Sequence, residues 1–200
     1  MFPSHDRRGK PVLFSGDHEL INFDLTWVDL RGLGVGDNLP KLLQRANAPA
    51  NEFVLTCNNQ TGGSTNPADN ATGIRLQNFE VVGRVATEGF LEQCHLVAVS
   101  AVTDLEIRSV KFTGFKGDGL YIGSGLGVGG VERHNRNIKV FNCIFDGVNR
   151  DNRNSQDGAA DLYYNDFRQI TQGQGKTRLK YSGNIGENGV IPFYVRGSGS

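Results

Sequence analysis

The chain has 200 residues, enough for one domain or part of one with an ample core. Its 21 Lys and Arg match its 21 Asp and Glu, so bulk charge gives no case for a nucleic-acid or anionic-membrane partner. Its 27 Gly exceed the average share of about 7%, which suits a fold that turns a corner every few residues.

In chain order, residues 1–10 lack the apolar core of a signal peptide, and no run approaches the roughly 18 apolar residues of a membrane span. Residues 11–14 (Pro-Val-Leu-Phe) and 19–28 are rich in apolar and β-branched or aromatic residues and read as the strands of the first coil. Residues 32–40 break that pattern with three Gly and a Pro, an excursion and not a second domain. Residues 41–46 have the composition of one or two helical turns, residues 53–57 read as a returning strand, and residues 58–73 as a polar loop. The sequons at Asn59 and Asn70 in that loop are read as chance matches. Three cysteines, Cys57, Cys94 and Cys143, show no close metal spacing, and Cys143 falls at an inward position, a small core residue.

From residue 74 onward the text repeats, and repeats decide architecture before local propensity does. An apolar anchor is followed five residues later by a large apolar residue: Leu76 with Val81, Ile107 with Phe112, Val140 with Phe145, Leu162 with Phe167, and loosely Leu20 with Leu25. The last four anchors step by 31, 33 and 22 residues, a period near 22 with longer excursions. Between the apolar pairs stands Asn78, Ser109, Asn142 or Tyr164, where a polar side chain suits a tight bend. Each copy therefore carries two short strands meeting at a corner, and a third run, such as residues 95–99 or 120–122, closes a triangular turn. Stacked in parallel, the residues before the anchors, Glu19, Arg75, Glu106, Lys139 and Asp161, alternate in sign. Such neighbours stabilise a ladder by about 0.2–1 kcal/mol per pair. Residues 169–177 are polar, 179–181 and 190–195 read as weaker strands with Pro192 marking an edge, and 196–200 as a flexible end.

The segments 117–122 (Gly-Asp-Gly-Leu-Tyr-Ile), 136–147 (Arg-Asn-Ile-Lys-Val-Phe-Asn-Cys-Ile-Phe-Asp-Gly) and 149–154 (Asn-Arg-Asp-Asn-Arg-Asn) resemble coils of the right-handed parallel β-helix, or pectate-lyase-like, superfamily. That resemblance implies an all-β solenoid in a single domain over residues 1–200, clearest between 74 and 170. Two departures, a short coil after Asn154 and the lack of an amphipathic capping helix, lead us to expect a chain incomplete at one or both ends. The superfamily hosts lyases, glycoside hydrolases, epimerases, tailspikes and adhesins, so the fold by itself names no activity.

Chemistry is expected where loops leave adjacent coils on one side. Asp118 and Asp151 each fall six residues past a core Phe, with Lys116, Arg150 and Arg153 close by. The Gly-rich excursion 123–130 between those turns leads into Glu132, Arg133 and His134. It lacks the Lys-Ser/Thr of a phosphate loop. Two close carboxylates can share a proton and cleave a glycosidic bond. They can also bind Ca²⁺ and neutralise a uronate while Arg150 or Lys116 takes its α-proton. A third use is structural, Asp in a turn bonding its own backbone. His134 is a further candidate base. Tyr121, Phe141 and Tyr163 are candidates for stacking on sugar rings, and Glu132, Arg133 and Arg153 for substrate contact.

The expected function is binding and cleavage of an acidic or plant-type polysaccharide, by a lyase or glycoside hydrolase, with Ca²⁺ as the one cofactor in view. The rival is a non-catalytic tailspike or adhesin segment, homotrimeric in the tailspike case. Either role places the protein outside the cell or on a virion surface, with a glycan and neither nucleic acid nor membrane as partner.

Overall fold

The computed structural model describes residues 11–46, 48–49, 52–58, 61–63, 67–84, 95–115, 119–123, 125–127, 132–133, 135–146, 158–162, 165–175, 178–181 and 195–196. Those residues are all-β apart from one 3₁₀ turn at Pro67–Asp69. The strands of the first half are β1 (Pro11–Phe14), β2 (Asp17–Leu20), β3 (Phe23–Asp24), β4 (Asp29–Gly32), β5 (Lys41–Gln44), β6 (Leu55–Asn58), β7 (Thr61–Gly63), β8 (Ala71–Thr72), β9 (Arg75–Val82) and β10 (Val97–Ser100). Those of the second half are β11 (Val102–Thr103), β12 (Glu106–Thr113), β13 (Leu120–Gly123), β14 (Gly125–Gly127), β15 (Glu132–Arg133), β16 (Asn135–Asp146), β17 (Gly158–Leu162), β18 (Asn165–Gly175), β19 (Arg178–Tyr181) and β20 (Val195–Arg196).

Almost all pairing is parallel. The chain passes alternately between two sheets, adding to each in sequence order. One sheet runs β3-β6-β10-β13-β17-β19; the other, strongly curled, is built along β1-β4-β9-β12-β16 and continues into β18 and β20. Successive passes place like side chains above one another. Leu30, Leu76, Ile107 and Val140 form one inner column, and Leu42, Val81 and Phe112 a second. On the smaller sheet Leu55, Val97 and Leu120 stack, with Cys57, Val99 and Ile122 beside them. All of these are buried. Each large apolar side chain so buried contributes about 1.5–3 kcal/mol.

The corners have a backbone cause. Within β9, Leu76 and Phe79 both point inward, so strict alternation slips by one residue between them. The slip is absorbed at Asn78, which adopts a left-handed conformation (φ 62°), as do Ser109 (φ 53°) and Asn142 (φ 53°) at the same place in the next passes. A second column of left-handed residues, Trp27, Gly73, Asp104 and Asn137, turns the chain into the curled sheet two positions before Asp29, Arg75, Glu106 and Lys139. Asn137 Nδ2 donates to Asp104 Oδ1 along it. Asn and Asp bear this geometry best among residues with a side chain; a bulky one such as Trp27 holds it at a cost of about 1–2 kcal/mol.

Several expectations are corrected. The repeat steps by 31, 33 and 30 residues through Leu76, Ile107, Val140 and Ile170. Leu162 lies in β17 of the other sheet, opposite Ile122, so the period near 22 came from comparing strands of different sheets. The polar run 169–177 is largely β18, paired with β16. Its partner strand supplies what its own β propensity lacks. Residues 41–44 are a strand, not helical turns: Leu42 and Gln44 point inward in β5, held between β2 and β9. Four residues are too few for periodicity to separate the two. The loop 58–73 carries β7, the 3₁₀ turn and β8.

The charge ladder is present with altered ends. Asp29 is opposite Arg75, Arg75 opposite Glu106, and Glu106 opposite Lys139. Glu19 sits opposite Leu43 and pairs instead with Arg84 at 3.2 Å, while Asp161 faces Tyr121. Glu106→Lys would place three cations in neighbouring strands. It is expected to cost about 1–2 kcal/mol in chemical denaturation, and Glu106→Gln about half that.

Candidate functional site

The excursion at residues 33–40 leaves the curled sheet at the corner of the second pass, between β4 and β5. Its base is fastened to the third pass. Asn78 Nδ2 donates to the carbonyls of Gly32 and Gly34, both at 2.9 Å, and the Glu80 amide donates to Pro40 O at 3.0 Å. Gly32 is required there, because a Cβ would lie 2.1 Å from the Asn78 carbonyl oxygen. The tip turns back at Gly36 (φ 62°), with Val35 bridged to Asn38.

Between this arm and the outer face of the sheet runs a groove of about 390 Å³. Gly36, Asp37 and Leu39 form one wall; the corner residues Asn78, Ser109 and Asn142 and their neighbours Glu80, Val110, Lys111 and Ile144 form the rest. The size falls within the range of small-ligand sites, about 300–1,000 Å³. Its charges are internally matched. Glu80 lies 3.9 Å from Lys41 and 3.6 Å from Lys111, and accepts from Thr113 Oγ1 at 2.7 Å. Ser109 and Asn142, which line the groove, make no side-chain hydrogen bond among the described residues, so their hydroxyl and amide are unspent within the protein.

Of the residues singled out from the sequence, Asp118, Asp151, Arg150, Lys116, His134, Arg153 and Tyr163 lie outside the described residues. So does Cys94. Glu132 and Arg133 form β15, antiparallel to β14 through Leu126 and Gly125, and β14 also pairs with β7. Residues 125–127 of the Gly-rich segment are thus a strand between β15 and β7, which belongs to an earlier pass. Phe141 stands in the curled sheet opposite Arg108 and Thr171, whereas Tyr121 stands in the smaller sheet opposite Ala98. The two positions belong to different sheets.

Tyr121 belongs instead to an aromatic column that sequence reading missed. Its ring stacks on His95 (centroids 4.8 Å apart), and His95 stacks on Phe53 (5.9 Å). The signal available was the step between residues 53–57 and 95–99, each an aromatic ring ahead of a strand. One face of Tyr121 is therefore taken by His95.

Among the described residues no group of three or more His, Cys, Asp or Glu is placed to hold a metal ion. The Ca²⁺ expectation rests on Asp118 and Asp151. No described helix is long and apolar enough to cross a membrane. Comparison with known proteins gives no match among protein-family models, curated proteins or solved structures.

Two shifted groups lie near the ends of the sheets. The Asp29 carboxylate, bonded to Arg31 at 2.8 and 2.7 Å, raises the guanidinium above its ordinary value, first by hydrogen bonding and then by charge. Burial pushes the Cys57 thiol up, offset in part by its contact with Thr26 Oγ1 at 3.6 Å. Cys57 is a free, buried thiol and a packing residue rather than a nucleophile.

Two predictions follow from this geometry. Asn78→Ala removes two hydrogen bonds and leaves a Cβ in a left-handed corner with no polar group to offset its strain, for an expected loss of about 2–4 kcal/mol. Asn78→Gly, which relieves the corner, is expected to lose about 1 kcal/mol less in urea titration. The folded Cys57 thiol holds its proton more tightly than the unfolded one, whose pKa is about 8.5. Its contribution is therefore complete below about pH 8.5 and declines as pH rises toward the higher folded value. Thermal unfolding of Cys57→Val is expected to fall less steeply than that of the parent between about pH 8 and 10.

Proposed function

We propose that the chain is a right-handed parallel β-helix protein of the pectate-lyase-like kind that binds a polysaccharide in the groove beneath the residue 33–40 arm. The observation that carries this reading is the groove itself: side-chain amide, hydroxyl and carboxylate groups recur on adjacent passes under one roof. Strands in a parallel sheet lie about 4.8 Å apart, close to the length of one sugar unit in an extended chain. The alternation between two parallel sheets supports the β-helix assignment; an extracellular or virion-surface setting goes with the polysaccharide reading. Cleavage, in this reading, is assigned to the turns bearing Asp118 and Asp151, with Lys116, Arg150 and His134 as the basic partners and Ca²⁺ as the cation they would take. The non-catalytic tailspike or adhesin role uses the same groove for attachment.

The test is a panel of neutral and uronate polysaccharides, with and without Ca²⁺, scored for binding, for unsaturated-uronate absorbance and for new reducing ends. The expected result is binding that Ile144→Trp, which fills the groove from an exposed position with ordinary strand backbone, abolishes while the fold is retained. Product formation lost in Asp118→Ala and Asp151→Ala would add the catalytic role; binding without products would leave attachment. A folded sample that binds no polysaccharide overturns the proposal.

A further inference from the structure

We infer that the groove under the arm takes an uncharged glycan, lying across the strands with one sugar on each of Asn78, Ser109 and Asn142; this rests on the groove being a polysaccharide site. Charge is the first argument. The acidic groups at the groove are Asp37 and Glu80, and the basic groups are Lys111 and, behind Glu80, Lys41. Both ammonium groups lie within 4 Å of the Glu80 carboxylate, which Thr113 also bonds. A uronate entering the groove would meet Asp37 and Glu80 before any cation not already paired. Desolvating a carboxylate beside two others is unfavourable.

Direction is the second argument. The three corner residues sit at one position on three consecutive passes, so their polar groups repeat at the strand spacing, about 4.8 Å, along the stacking axis and not along any strand. The left-handed backbone shared by the three corners sends each Cα–Cβ bond off the strand in a similar direction. Asn78 spends both amide protons on Gly32 and Gly34, leaving its oxygen as acceptor, while Ser109 and Asn142 offer donor and acceptor together. Sugar hydroxyls, which also donate and accept, match that set. Ile144, 40% exposed, and Leu39 give an apolar surface to the C–H face of a ring.

A peptide fits less well. Strand addition needs a free sheet edge, and β9 and β12, which supply most of the floor, are each paired on both sides. The floor therefore offers side chains and no free strand edge.

The experiment titrates the intact chain with neutral β-linked oligosaccharides of two to six sugars and with oligogalacturonates of the same lengths, at low and high NaCl. Affinity for the neutral series is expected to rise to three or four sugars and then level. It should change less than about twofold with salt, since no free charge is engaged. Asn142→Gly and Ser109→Gly remove the polar groups without straining the left-handed corner. Each is expected to weaken binding about fivefold to tenfold with an unchanged thermal midpoint, while Thr56→Ala on the other sheet leaves it unaltered. Salt-sensitive binding of oligogalacturonate with none of the neutral series would overturn the inference and leave the polysaccharide reading standing. So would neutral binding indifferent to both glycine variants. Silence toward both series from folded protein would overturn both.

Discussion

The structure depends on a single-residue slip in strand alternation, placed at the same point in three consecutive passes. A parallel strand that keeps strict period-2 order runs straight; one that buries Leu76 and Phe79, with two residues between, has to turn. The turn requires a left-handed residue, and Asn78, Ser109 and Asn142 supply it in register. The second column, from Trp27 through Gly73 and Asp104 to Asn137, does the same at the other end of the curled strands. Register and curvature are therefore one constraint. Sliding one pass by a residue would misalign both corner columns and turn the inner columns outward at once.

The candidate site is a by-product of that constraint. Because corners stack, their side chains stack, and a set of outward polar groups arises at the strand spacing. The second pass adds to this by inserting an arm at its corner instead of a single residue. Asn78, one pass later, holds the arm down with both amide protons. The same residue thus sets the corner and fixes the roof, which couples the shape of the groove to the folding of the sheet. The charges alongside are arranged in the same vertical sense: Lys41, Glu80 and Lys111 occupy one column and Asp29, Arg75, Glu106 and Lys139 another. Both alternate in sign, so neither leaves a field of one sign over the face.

Much of the fold could be read from the residues between 74 and 145. The inward positions Ile74, Leu76, Phe79, Val81, Leu105, Ile107, Val110, Phe112, Ile138, Val140 and Cys143 are all buried as the alternation implied. The polar corner residues were recognisable because Asn and Ser bond backbone cheaply. The reading failed where the pattern thinned. Leu162 was matched to Val140 although the chain had already crossed to the other sheet, and residues 41–44 were given helical character because four residues carry too little period to decide. The groove was not foreseen at all. The residue 32–40 segment showed its turn chemistry in Gly32, Gly34 and Gly36, but nothing in its own text says which surface it will cover.

What the sequence determined by itself is local: apolar residues at alternate positions, a polar residue at the bend, and the recurrence of that unit, though its own spacing suggests a period near 22 and strand pairing sets it at 31, 33 and 30. Those follow from the geometry of a strand and from which side chains tolerate a left-handed backbone. The tertiary structure decided everything that joins distant residues. It chose Asp29 over Glu19 as the foot of the charge ladder, set Tyr121 on His95 and not beside Phe141, and laid residues 36–39 over Ser109 and Asn142. Each of these depends on how many residues separate two strands in space rather than along the chain. Loop length fixes that number only after the strands have found their partners.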